Sequence, residues 1–227
     1  ALWIGALVIV SYTFIGGFLA ASWTDFVQGI LMLLALIIIP IVAFMELGGW
    51  NEAFQKIGNV DLSYLDAFSG ATAIGIISLL AWGLGYFGQP HIIVRFMGIK
   101  STKEIPKARR IGMTWMIFSL LGAIFIGLAG IAYFDRGSLD NPETVFIAFS
   151  QVLFNPWIAG FLLAAILAGI MSTVDSQLLV SSSALTQDFY KSIFKRNASQ
   201  KEEMIVGRMA VLIIALIAIF LGYNPDS

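Results

Sequence analysis

Six apolar runs constrain this chain more than anything else in it: Leu2 to Trp23, Phe26 to Phe44, Ala71 to Ile93, Ile111 to Phe134, Trp157 to Leu185 and Gly207 to Tyr223. Each is about helix-spanning length, because a helix rises about 1.5 Å per residue across a hydrocarbon core of about 30 Å. A water-soluble globule is excluded. Of 227 residues, 59% are hydrophobic and 12% charged, with a mean hydropathy of +0.88, against roughly half and about a quarter in ordinary soluble domains. The expected fold is an all-α multi-pass membrane protein with about six transmembrane helices of about 20 apolar residues each. The first run begins at once, with no basic n-region and no small-residue cleavage site, so the chain reads as an internal piece of a longer membrane protein.

Basic residues set the topology, since Lys and Arg gather in short cytoplasmic loops. Arg95, Lys100, Lys103, Lys107, Arg109 and Arg110 lie around the connection between the third and fourth runs, and Lys191, Lys195, Arg196, Lys201 and Arg208 around that between the fifth and sixth. Two crossings separate these clusters, which places both inside; the connections holding only Lys56 and Arg136 lie outside, and so does Ser227. A tight internal turn is expected at Thr24-Asp25. Ser101-x-x-Glu104 and Ser199-x-x-Glu202 fit capping boxes at helix starts. Asn141-Pro142 should open an external helix, Glu143 to Phe154, whose Val145, Phe146, Phe149, Val152 and Leu153 share one face and pack on the membrane surface or over the bundle.

Composition excludes several functions. With no cysteine and one histidine, disulfides, Cys-ligated zinc, thiol catalysis and a His-based triad drop out. A net charge of -1 with no basic stripe excludes nucleic acid as a partner. The string from Gly83 to Gly88 matches the dinucleotide fingerprint G-x-G-x-x-G, but it lies inside an apolar span without the strand, helix and acidic residue that give the motif its chemistry. The chain does not read as an enzyme.

Two runs carry polar or aromatic groups that demand an account. In the third, Gly75, Gly83, Gly85, Gly88 and Pro90 weaken the helix at membrane depth, and interrupted helices persist there where freed backbone groups line a cavity or site. Taken as helical, Trp82, Tyr86 and Pro90 recur at i, i+4 and i+8 on one face, a spacing that equally suits an aromatic packing ridge; His91 beside them reads as a packing residue. In the fifth, Gly169, Ser172, Thr173 and Ser176 fall at offsets 0, 3, 4 and 7 and form one polar stripe. A single intramembrane hydroxyl bonds back to its own helix. Two adjacent hydroxyls one turn after a small residue also suit a monovalent cation, since hard cations take oxygen ligands and a neutral cage releases its ion. Asp175 is either a functional carboxylate or a structural pair near the inner end. Asp25 either caps the second helix or stands in an aqueous exit path.

The string Tyr12 to Asp25, the string Trp82-Gly-Leu-Gly-Tyr-Phe-Gly-Gln-Pro-His-Ile-Ile93, and Met171-Ser-Thr-Val-Asp-Ser-Gln-Leu-Leu179 followed by Ser182 to Thr186 resemble the solute:sodium symporter family, over essentially the whole chain. The second string is the most specific of these for the proline-carrying branch, whereas the Ser-Thr string is shared more widely across the family. The resemblance implies a LeuT-type inverted-repeat bundle, of which this chain holds the end of the first five-helix repeat and the first four helices of the second. It implies sodium-coupled transport of proline across the cell (inner) membrane. By the same resemblance Trp82, Tyr86 and Pro90 line the proline site, Gly169 (carbonyl) and Ser172 and Thr173 (hydroxyls) bind sodium, and Asp25 stands near the inner ion path. Gly169 replaces the alanine of better-known members, which hardly matters to a carbonyl ligand, and Asp175 falls at a variable position. The remaining sodium ligands and much of the proline site would come from a helix before residue 1, so this chain alone should not transport. Another small solute such as pantothenate on the same scaffold, or a proline-sensing module of a signalling protein, remains open at this point.

Overall fold

The computed structural model describes residues 2–222, and among them every regular element is helical. The α-helices are α1 (Leu2–Glu46), α2 (Trp50–Val60), α3 (Ala73–Ala81), α4 (Pro90–Met97), α5 (Ile105–Tyr133), α6 (Val145–Val152), α7 (Pro156–Ala184) and α8 (Gln200–Gly222). Short 3₁₀ turns join several of them, and α7 runs on as a π-helix over Leu185–Phe194. Four stretches among the described residues are long and apolar enough to cross a membrane, or five if the broken pair Ala73–Gly88 and Pro90–Met97 counts as one. This is a membrane protein. Tyr223, the end of the sixth expected run, and Ser227 lie outside the described residues.

The first two expected runs are one helix, and the turn expected at Thr24-Asp25 is absent. The reason is local. Nothing in Ser22-Trp23-Thr24-Asp25 breaks a helix, and the two hydroxyls bond back into it: Ser22 Oγ donates to the Phe18 carbonyl at 2.7 Å, and Thr24 Oγ1 lies 3.0 and 2.9 Å from the carbonyls of Ala20 and Ala21. The backbone departs from helix instead at Gly17, with φ 54° and ψ −142°, which glycine tolerates for want of a Cβ.

The third run breaks as expected, though in a different register. Thr72 caps α3 by accepting from the Gly75 amide at 3.1 Å. Helix α3 then tightens into a 3₁₀ helix over Trp82–Gly88, and Gln89, extended at φ −96° and ψ 104°, precedes Pro90 at the start of α4. The α-helical i, i+4, i+8 face of Trp82, Tyr86 and Pro90 therefore does not run through this segment. A run with glycines at 83, 85 and 88 has little propensity to hold α-helix.

Contacts divide the chain into two compact units: Ala1–Gln28, Gln89–Gly98 and Ala168–Ser227 form one, and Gly29–Gly88 and Ile99–Leu167 the other. The second unit has the larger core, built on Ala35, Ile39, Phe44, Ile126, Phe149 and Leu162. On α5 the buried Ser119, Gly122, Ile126, Ala129 and Gly130 form a stripe of mostly small residues, the composition that lets membrane helices approach closely. The expected external helix is present as a 3₁₀ turn, Pro142–Thr144, followed by α6, with the Asn141 side chain accepting from the Glu143 amide at 2.9 Å. Val145, Phe146 and Leu153 pack on the core that buries Phe149, whereas Val152 is exposed. The helix packs over the unit, as its apolar face foretold.

The first unit gathers the N-terminal part of α1, α4, the second half of α7, and α8, with a core of Ile9, Leu178 and Ala215 drawn from α1, α7 and α8. Its polar end is stapled to α8. Ser199 Oγ accepts from the Glu202 amide at 3.3 Å, half of the expected capping box. The Glu202 carboxylate reaches Lys195 at 2.7 Å instead of the cap, and holds that ammonium above its ordinary pKa. Ser101 caps likewise through the Lys103 amide at 3.3 Å.

Candidate functional site

Helix α7 starts where Asn155 accepts from the amides of Trp157 and Ile158, both at 3.1 Å, with Pro156 at the first helical position. From there it is α-helical through Ala184, so the offsets read from sequence hold in three dimensions. Ser172 Oγ donates to the Gly169 carbonyl at 3.1 Å, and Thr173 Oγ1 donates to the same carbonyl at 3.0 Å. Three oxygens thus converge on one turn of an apolar helix. Gly169 and Ser172 are half-buried and Thr173 is exposed. A hydroxyl carries one hydrogen and two lone pairs and rotates about its Cβ bond. An arriving monovalent cation can therefore turn both donors into ligands, at the loss of two bonds internal to the helix.

One turn further, α7 carries a polar network that ties it to two other segments of the same unit. Asp175 is fully buried, at 0% exposure. Tyr12 of α1 donates its phenol hydrogen to Asp175 Oδ2 at 2.8 Å. The Ser176 hydroxyl lies 2.7 Å from the Ser172 carbonyl and 3.2 Å from Asp175 Oδ1, and it accepts from the Arg95 guanidinium of α4. Arg95 also forms an ion pair with Asp25, whose second carboxylate oxygen is buried without a hydrogen-bond partner among the described residues. Asp25 caps nothing, since the chain is helical through it. The Arg95 guanidinium thus links the Asp25 carboxylate to the Ser176 hydroxyl, which in turn contacts Asp175.

Sequence reasoning missed Tyr12 and Arg95 as members of this network. Arg95 counts by composition among the cytoplasmic basic residues. Its signal was position: it is flanked by apolar Ile92, Ile93, Val94, Phe96 and Met97 and comes before Gly98. Tyr12→Phe is expected to lower the thermal unfolding midpoint measured in detergent, because a buried carboxylate that loses its donor costs about 1–3 kcal/mol. Ser11→Ala, at an exposed hydroxyl that only bonds back to Val8, should leave the midpoint in place.

In the other unit Trp82 and Tyr86 meet edge to face, with ring centroids 5.5 Å apart and planes at 82°. Four residues are not one turn of a 3₁₀ helix, so this contact comes from side-chain reach rather than from a shared helical face. Trp82 is 74% exposed and Tyr86 43%. Pro90, at the start of α4, is exposed.

Over all of residues 1–227 the chain matches the model of the sodium:solute symporter family, and it belongs to that family. It is 57% identical over 228 residues to the high-affinity proline transporter PutP of Bacillus subtilis, with 100% of this chain and 48% of that protein covered. It is 55% identical to the osmoregulated proline transporter OpuE of the same organism, covering 100% of this chain and 46% of the relative. Against sodium/proline symporter 2 of Staphylococcus saprophyticus the identity is 54%, over 98% of this chain and 44% of the relative. The chain spans about half the length of the curated relatives it matches. The family and these relatives are transporters rather than enzymes.

Proposed function

We propose that this chain is part of a sodium-coupled symporter that carries proline into the cell across the cell (inner) membrane. The observation that carries the reading is the convergence of the Ser172 and Thr173 hydroxyls on the Gly169 carbonyl, three neutral oxygens on one turn of an otherwise apolar helix. Relatives named for proline transport at 57% and 55% identity support the choice of solute, and sodium/proline symporters at 54% and 55% support both solute and ion. The bundle is of the LeuT type, and this chain contributes the four apolar helices and the broken third run to it.

In this reading Gly169, Ser172 and Thr173 bind the co-transported sodium, and Asp25 and Asp175 line its inner path. Trp82, Tyr86 and Pro90 line the proline site. Proline is a zwitterion with an apolar ring, which the two aromatic side chains suit by packing and by cation–π contact with the ammonium. Sodium orders α7, and proline then binds the ordered state better, which is coupling in the thermodynamic sense. One ion entering down about 100 mV and a roughly tenfold gradient supplies about 3.7 kcal/mol, enough for proline accumulation of a few hundredfold.

The test is counterflow of labelled proline in vesicles containing the full-length protein, with and without sodium. Exchange that needs sodium and is competed by proline over pantothenate supports the reading; exchange indifferent to sodium, or selective for another solute, sinks it. Trp82→Ala should raise the proline KM about tenfold at saturating sodium, a loss of about 1.4 kcal/mol, and leave the sodium requirement intact.

A further inference from the structure

The break in α1 is built by two glycines for two different reasons. Gly17 has a positive φ that L side chains rarely adopt, and a Cβ on Gly16 would stand 2.4 Å from the Cβ of Ala20. The carbonyls of residues 14 to 16 face helical partners that lie across this break. Of these, the Ile15 carbonyl accepts from Arg208 Nη2 of α8 at 3.3 Å. The guanidinium carbon of Arg208 also lies 5.6 Å from the centre of the Phe14 ring, within cation–π range. Around the break is a cavity of about 530 Å³, walled by residues 13–18 of α1 and by turns of α7 and α8. Arg208 lines this cavity beside Met204, Gly207 and Val211 of α8, and among the described residues its guanidinium is the side-chain donor to the Ile15 carbonyl. Thr13 Oγ1, buried in this stretch, has no hydrogen-bond partner among the described residues. Tyr12 comes immediately before it, with its phenol on Asp175, three residues past Ser172.

We infer that Arg208 is a positioning residue for sodium use. It takes the Ile15 carbonyl and covers Phe14, which fixes the break in α1, and the break in turn holds Tyr12 against Asp175 beside the turn that bears Ser172 and Thr173. The inference rests on the sodium symport proposed above and adds to it a residue outside the oxygen set.

The experiment is the sodium dependence of proline uptake by the full-length carrier in proteoliposomes, normalised to the amount of carrier. Arg208→Ala raises the half-saturating sodium concentration about tenfold, or about 1.4 kcal/mol, while the proline KM at saturating sodium stays put. Arg208→Lys, which still donates to a carbonyl and lies over a ring, recovers most of the loss. Tyr12→Phe shifts sodium in the same direction, and Arg208→Ala with Tyr12→Phe shifts it no further, because both act on one contact. An unchanged half-saturating sodium in Arg208→Ala, or additive shifts in the double variant, overturns the inference. Should Arg208→Ala fail to fold, Phe14→Leu takes its place, and no sodium shift in that variant is equally fatal. An unaltered carrier that ignores sodium defeats the functional reading; a sodium-dependent one indifferent to Arg208 defeats only this inference.

Discussion

Replacing Ser172 and Thr173 together by alanine is expected to push the sodium dependence of proline uptake in the full-length carrier to far higher sodium concentrations. Both hydroxyls sit on the surface of α7 and bond only to the Gly169 carbonyl of their own helix. Alanine is the strongest helix former, so the variant should keep its helix and its place in the bundle. What it loses is two oxygens from the set that receives the ion. Each single variant should raise half-saturating sodium about tenfold, and the pair about a hundredfold, or about 2.7 kcal/mol. Uptake against sodium concentration measures this directly, with labelled-proline binding at high sodium as the check that the solute site survives. If the sodium curve of the double variant overlays that of the parent, these residues are structural only, and the chain's part in transport must be sought elsewhere.

Gly122→Leu should be the most damaging substitution to the second unit. A Cβ at this position would lie 2.2 Å from the Leu36 carbonyl oxygen and 2.9 Å from its carbon. Both are backbone atoms of the packed helix α1, so no side chain can rotate out of the way and the two helices must separate. That separation loosens a core in which Ala35, Ile39 and Ile126 are buried. Overpacking commonly costs about 1–3 kcal/mol, and a clash with backbone belongs at or above the upper end. The same helix supplies its own control. Gly127 has open space where a Cβ would go, so Gly127→Ala should leave the midpoint of thermal unfolding in detergent unchanged while Gly122→Leu lowers it steeply. Equal effects at 122 and 127 would mean that helix propensity, not close approach, decides the outcome.

Much of the architecture was legible residue by residue. The lengths of the apolar runs, the glycines and proline that interrupt the third, the Asn141-Pro142 start before α6 and the stripe from Gly169 to Ser176 all depend on neighbours within about one helical turn. Such signals survive into the fold because backbone in lipid has to satisfy its own hydrogen bonds, and only a helix does so locally. The failures were local competitions decided by small margins. A short polar cluster at residues 22–25 reads as a turn in an aqueous loop, yet its hydroxyls satisfied themselves inside the helix, and the break moved to the glycine pair upstream. In the third run the register failed because glycine-rich backbone tightened to 3₁₀.

The sequence by itself determined that this is a helical membrane protein, which face of α7 carries oxygen, and where the helix bearing the aromatic pair gives way. Those properties follow from hydropathy and from spacings of three or four residues. Only the tertiary structure decided which polar groups meet. Tyr12 reaches Asp175 across 163 positions, Arg95 reaches Ser176 across 81, and Arg208 reaches Ile15 across 193. A buried phenol, carboxylate or guanidinium must find a partner, but that need says nothing about which distant segment supplies it; the packing of α1, α4, α7 and α8 within one unit makes the choice.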